Sequence, residues 1–242
     1  MIVLDWLTFN TPNNFLTVDV HSHLLPGIDD GVKSVEESLE IIQEFSALGF
    51  KKLITTPHII KNYYPNTPKI IAQKLKELKA EIQKKNIPIE LEAGAEYFVD
   101  EHFMKELEEG TALCSFGNNF VLIETGFMNK PIFLNDVIFK LQSDGYKVVL
   151  AHPERYIYLQ EDYNEVHALL SSGVHLQVNA LSFTGYYSKS AKKLAEYLIQ
   201  HEMVNFLGSD IHNKKQLLKY KKAIKSSGFQ KAGQLSLLNS AL

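Results

Sequence analysis

Lys147-Val148-Val149-Leu150-Ala151-His152-Pro153-Glu154-Arg155 is a short apolar run that ends abruptly in an imidazole, a carboxylate and a guanidinium. A continuous apolar run of this length reads as a β-strand buried on both faces, the pattern of a parallel sheet. The same arrangement recurs along the chain. Asp19-Val20-His21-Ser22-His23, Thr56-Pro57-His58, Ala95-Glu96, Ile123-Glu124 and Ser209-Asp210-Ile211-His212 each stand where a strand-like stretch stops, the last of them after Phe206-Leu207-Gly208. In a barrel of parallel strands all of these side chains would converge on one rim, as a multinuclear metal site requires.

Apolar periodicity predicts seven strands, at residues 16–20, 52–56, 89–93, 120–124, 147–151, 175–179 and 204–208. Each is followed by a helix-like stretch, at 35–48, 68–85, 101–108, 132–143, 165–171, 189–201 and 214–225. Ser34 with Glu37 reads as a capping box, Thr67-Pro68 as an N-cap with proline at the first helical position, and Gly49, Gly145 and Gly173 as helix stops. A βα series builds a parallel sheet. An open, doubly wound sheet would gather its ligand at one switch point, whereas here nearly every strand delivers a polar residue at its carboxyl end, which favours closure.

The length of 242 residues allows one large barrel or two small domains, and no linker-like composition separates halves. We therefore expect one domain over 1–242, with 1–15 and 229–242 as terminal appendages; Trp6 and Phe9 lie in the first. The net charge of −3 is interspersed, so no nucleic-acid tract is expected. No apolar run approaches a membrane span, the start lacks a signal-peptide pattern, and the single cysteine, Cys114, suits a reducing compartment. A cytoplasmic protein without membrane insertion is the simplest expectation.

His21 and His23 are two apart on an extended segment, so both imidazoles point to one side. An isolated His-x-His is a modest signal that an ordinary surface pair would also give; four further strand ends bearing His, Glu or Asp count against that reading. Pro57 fixes the direction of His58, and Glu124 and His152 close apolar runs where an unpaired polar group is costly. The candidate ligands are His21, His23, His58, Glu96, Glu124, His152, Asp210 and His212, with Asp30 as a possible ninth. That set exceeds the needs of one metal, so two or three ions are implied, and mixed imidazole and carboxylate donors suit Mn²⁺, Fe²⁺ or Zn²⁺ better than Ca²⁺. Clustered ions activate water and clamp phosphate oxygens, which points to phosphoester hydrolysis. Arg155 is the only arginine beside 24 lysines, three residues after a candidate ligand. A guanidinium binds phosphate bidentately as lysine cannot; the alternative role is a surface salt bridge. His102, His167, His175 and His201 have no matched partners and read as ordinary histidines. Asp19 reads either as a carboxylate orienting a ligand imidazole or as a structural group, and Tyr63-Tyr64 and Tyr186-Tyr187 as walls of a cleft or plain loop residues.

The residues from Asp19 to Gly31, with Thr56-Pro57-His58, Gly94-Ala95-Glu96, His152-Pro153-Glu154-Arg155-Tyr156 and Ser209-Asp210-Ile211-His212, resemble the CpsB/CapC-type bacterial protein-tyrosine phosphatases of the polymerase and histidinol phosphatase (PHP) superfamily, over roughly residues 16–225. The resemblance implies an α/β fold, a distorted seven-stranded (β/α)7 TIM-like barrel, holding two or three ions, manganese preferred, with Fe²⁺, Zn²⁺ or Mg²⁺ as alternatives. It groups His21 and His23 with Asp210 and a bridging Glu96; Glu96, Glu124 and His152; and Asp30, His58 and His212. Arg155 would contact phosphate, and Arg155, Asp210 and His212 are the residues expected to carry catalysis. The family's second basic residue after the last motif is represented here only by Lys214 or Lys215. The implied substrate is a phosphotyrosine protein, the C-terminal tail of a bacterial tyrosine kinase in capsular or exopolysaccharide synthesis, and a homo-oligomer is possible. The rival readings are a small-molecule phosphatase of the histidinol-phosphate kind, an amidohydrolase, and a catalytically idle metal-binding module that docks a kinase. The amidohydrolase class usually bridges its metals with a modified lysine where strand 4 here ends in Glu124.

Overall fold

The computed structural model describes residues 15–242; Trp6 and Phe9 lie outside the described residues. In chain order the elements are β1 (Val18–Asp19), α1 (Val35–Ala47), β2 (Lys52–Thr55), β3 (His58–Ile59), α2 (Pro68–Lys84), β4 (Glu90–Ala93), β5 (Glu96–Phe98), α3 (Glu101–Glu108), β6 (Phe120–Glu124), α4 (Leu134–Ser143), β7 (Lys147–Ala151), α5 (Ile157–Glu161), α6 (Tyr163–Ser171), β8 (His175–Asn179), α7 (Lys189–Gln200), β9 (Phe206–Gly208), α8 (Lys214–Ala223) and α9 (Ser227–Ala232). Every pairing between these named strands is parallel, and the helices cover sheets whose central members, such as β6, are buried along their whole length.

Nine strands form where seven were expected, because β3 and β5 lie just past the expected strands at 52–56 and 89–93. Pro57 has no N–H to donate, and Ala95 donates its own to Cys114 O at 3.1 Å, so the chain leaves one pairing and enters another at each point. β1-β2-β4 form one sheet and β3-β5-β6-β7-β8-β9 the other, and neither closes on itself. The expected closed ring of seven strands is thus not drawn by these ladders. The two sheets touch at their carboxyl ends: Ser22 bridges Ile211, His23 N donates to Ile211 O at 2.9 Å, and Asp210 N to His21 O at 2.8 Å.

Helix boundaries follow local chemistry. Ser34 accepts from Glu37 N, although the Glu37 carboxylate reaches Lys33 N rather than Ser34 N, so the capping box is shifted on one side. Thr67 caps α2 ahead of Pro68, and Gly49, Gly145 and Gly173 take positive φ where helices stop. At the amino ends, β1 and β9 are joined by a side chain. The buried Asn239 amide accepts from Leu207 N at 3.0 Å and donates to Leu207 O at 2.8 Å and Val18 O at 3.0 Å. Much of the stretch after Phe229 thus closes over this end of the fold.

Candidate metal centre

The candidate ligands arrive at strand ends and breaks, and one from a loop. β1 runs on to His21 and His23, β3 and β5 begin with His58 and Glu96, β6 ends in Glu124, β7 is followed by His152, and β9 leads to Asp210 and His212; Asp30 enters from the loop before α1. His152 and Asp210 both adopt left-handed backbone, with φ of 33° and 51°. Such strain in non-glycine residues concentrates at functional sites, where the surroundings hold it in place.

The nine side chains come together. Glu96 sits at the centre, fully buried, with Oε2 3.1 Å from His21 Nε2, 3.5 Å from His23 Nε2 and 3.2 Å from His58 Nδ1, and Oε1 3.1 Å from His152 Nε2. Glu124 Oε1 lies 2.8 Å from His58 Nδ1, and its Oε2 3.9 Å from His152 Nε2. Asp210 Oδ1 is 3.4–3.6 Å from His21, His23 and His212, and the half-exposed Asp30 is 3.5–3.6 Å from His58 and His212. Three overlapping groups have donor atoms within 4.8 Å of one another: His23, Asp30, His58 and His212; His21, His23 and Glu96; His58, Glu96 and Glu124.

Burial pushes the Glu96 carboxyl up, but the facing imidazoles of His21 and His58 outweigh it and hold it well below the usual range. Asp210 behaves likewise, with burial opposed by His21, His212 and Arg155. The donor set also passes a direct test of fit to a cation. His58 Nδ1 and Glu124 Oε1 are buried and make no hydrogen bond despite their proximity, and His21 Nε2 and His23 Nε2 face each other at 3.3 Å. Imidazole nitrogens and carboxylate oxygens converging on one shared space fit divalent ions.

The sequence left the supporting groups unassigned. Gln177 Oε1 accepts a hydrogen bond from His21 Nδ1–H at 2.7 Å, and Asp29 Oδ2 one from His23 Nδ1–H at 2.8 Å. Burial resists the charge on Asp29, but His23 prevails and its pKa falls to about 2. Asp19 proves structural: its carboxylate accepts from Ser209 N and Oγ, fastening β1 to the end of β9. His102, His167 and His175 bond to Lys61, Tyr197 and Val148 O respectively, away from the cluster.

Beside the donors opens a cavity of about 490 Å³, lined by Asp30, His58, Glu124, His152, Asp210 and His212 and walled by Tyr64, Phe127, Arg155 and Tyr187. Arg155 Nη1 donates to Asp210 Oδ2 at 3.1 Å, so its charge faces the site rather than the outer surface. Tyr64 stacks on His58 with ring centres 5.6 Å apart, whereas Tyr63 is exposed. Neither Lys214 nor Lys215 lines the cavity. Lys214 pairs with Glu40, and the wall after the last motif is Asn213 and Gln216.

Fold and site together define the class: a parallel α/β protein with a cation-fitting cluster at its strand ends. The chain belongs to the CpsB/CapC family of capsular polysaccharide synthesis, whose model matches residues 17–228. The tyrosine-protein phosphatase YwqE of Bacillus subtilis (strain 168) is 28% identical over 198 residues, 82% of this chain and 78% of that protein. A structure solved in work on YwqE from Bacillus subtilis and CpsB from Streptococcus pneumoniae, described as unique metal-dependent tyrosine phosphatases, has a TM-score of 0.80 at 26% identity and covers 93% of each chain. A histidinol phosphate phosphatase from Lactococcus lactis, complexed with zinc, L-histidinol and phosphate, shares the fold at TM-score 0.54 and 18% identity, covering 90% of this chain and 93% of that one.

Proposed function

We propose that this protein is a metal-dependent phosphomonoesterase acting on phosphotyrosine, its substrate the tyrosine-bearing tail of a bacterial kinase in capsular or exopolysaccharide synthesis. The observation that carries this reading is the placement of Arg155 on the wall of a cavity whose floor is the donor cluster. His21, His23, Asp30, His58, Glu96, Glu124, His152, Asp210 and His212 would hold two or three ions, manganese preferred over iron, zinc or magnesium. Bound ions supply Lewis acidity toward phosphate oxygens and lower the pKa of water. Arg155 gives the phosphate bidentate hydrogen bonds, Asp210 fixes that guanidinium while facing His21 and His23, and His212 stands at the mouth beside Asp30. Family membership and the relatives' names support the substrate class. We read the two sheets as halves of one distorted seven-stranded β/α barrel, a single domain over 1–242, supported by the Ser22–Ile211 bridge between them. A cytoplasmic location is part of the proposal; no helix among the described residues is long and apolar enough to cross a membrane.

The test is turnover by protein stripped of metal and reloaded with Mn²⁺, on a phosphotyrosine peptide and on histidinol phosphate in parallel. A kcat/KM at least 100-fold higher for the peptide is the expected result. Preference for histidinol phosphate would reassign the substrate, and silence on both would leave a docking protein.

A further inference from the structure

Arg155 is gripped on three sides. Its guanidinium carbon lies 4.6 Å from the centre of the Phe127 ring and 4.4 Å from that of Tyr187, and its Nη1 bonds to Asp210 Oδ2. Phe127 comes from the loop after β6 and Tyr187 from the loop after β8, so only the folded chain brings the two rings to one guanidinium. Tyr187 is itself fixed: its hydroxyl accepts from Asn179 Nδ2 at 3.1 Å and donates to Asp210 Oδ2 at 3.3 Å. Asn179 also donates to Asp210 Oδ2 at 2.7 Å, and its own Oδ1 accepts from Gln177, the residue that orients His21. A continuous chain of contacts therefore joins the cluster to the arginine. Among the described residues no other hydrogen bond from the guanidinium is seen, and Arg155, Phe127 and Tyr187 all line the cavity.

We propose that Phe127 and Tyr187 are positioning residues for phosphate recognition, an aromatic clamp that holds Arg155 in one orientation with its remaining donors toward the cavity. An arginine with one charged hydrogen bond and a partly exposed stem has many rotamers, and ordering it at the moment of binding would weaken the complex. Aromatic faces on both sides, attracted to the cation by their quadrupoles, meet that cost before phosphate arrives. Two loop aromatics that the mechanism otherwise leaves as cavity wall thereby acquire a task. The proposal rests on Arg155 being the phosphate contact.

The experiment measures inhibition by inorganic phosphate, together with metal content, in the Mn²⁺-loaded full-length protein. Phe127→Leu and Tyr187→Leu are each expected to weaken phosphate about tenfold, in line with loss of a partly desolvated cation–π contact, with metal content unchanged. Tyr187→Phe, which keeps the ring, should restore affinity to within about threefold of wild type. In an Arg155→Ala background, adding Tyr187→Leu should change phosphate affinity by less than about twofold, because coupled residues are not additive. Full additivity in that cycle, or leucine variants that bind phosphate like wild type, would overturn the clamp. Because Phe127 is an exposed loop residue, Phe127→Leu tests the idea even if Tyr187→Leu folds poorly. Should Arg155→Ala alone leave phosphate binding intact, it is the phosphate-contact role that fails; should Arg155→Ala lose binding while the leucine variants do not, only the clamp fails.

Discussion

His21 owes its orientation to one amide. Gln177 Oε1 accepts a hydrogen bond from its Nδ1–H, which fixes the tautomer and turns Nε2 toward Glu96 and Asp210. Partners of this kind are commonly worth 10–100-fold in metal affinity. Gln177→Ala should therefore weaken Mn²⁺ binding by about that factor while leaving the fold intact; calorimetric titration giving an affinity within about threefold of wild type would place the control of His21 elsewhere. Eight of the nine donors were legible in the sequence because they stand where apolar runs end, and a charged or basic group there needs a reason to be; Asp30 was legible only as a loop carboxylate shortly after His23. Gln177 and Asn179 were not singled out, although they carried a signal: polar residues two apart, hence on one face, in a strand buried on both sides. Asp19 could not be decided from sequence, since its use depends on Ser209, 190 residues away.

At the scale of elements, the break points matter more than the strands. The sequence placed every βα unit but not the change of partner at Pro57 and at Gly94-Ala95, because pairing is a long-range property that periodicity does not encode. The seam between β1 and β9 likewise depends on Asn239, in a stretch that carries no strand or helix pattern. Asn239→Ala would strand Leu207 N, Leu207 O and Val18 O in the interior. With about 1–3 kcal/mol for a buried unsatisfied group and partial relaxation, a loss of about 2–4 kcal/mol is expected. Urea unfolding with an unchanged m-value checks it, and a loss below about 0.5 kcal/mol would mean the seam is held by other contacts. Gly208 in β9 is constrained for a different reason. A Cβ there would lie 2.6 Å from Gln177 Nε2 and 2.8 Å from His21 Cβ. Gly208→Ala should cost about 1–3 kcal/mol by overpacking and, through the displaced His21, reduce bound metal; a variant that is destabilised yet holds full metal would separate packing from the site.

For the molecule as a whole, the cluster is a store of charge that something must balance. Ions that bind only the folded state stabilise it by about 2.7 kcal/mol at a concentration 100 times Kd, and a chain of this length gains roughly 2–4 °C per kcal/mol, so chelation should lower Tm by about 5–10 °C for each such site emptied. Protons are the remaining counter-charge in the stripped protein. Burial disfavours the charged form of His58, but Glu96 and then Glu124 outweigh it and raise its pKa to about 9, against about 6.5 in an unfolded chain. A histidine that holds its proton more tightly when folded contributes stability that is complete below about pH 6.5 and is lost as pH rises through about 9. Tm of the chelated protein should therefore fall across that window. In the loaded protein the cation takes the place of the proton, and the fall should be absent, so the gap between loaded and chelated Tm widens from pH 6.5 to 9. Thermal scans at three pH values with and without chelator measure that gap directly; a gap that stays constant would mean that His58 does not exchange its proton for a metal ion.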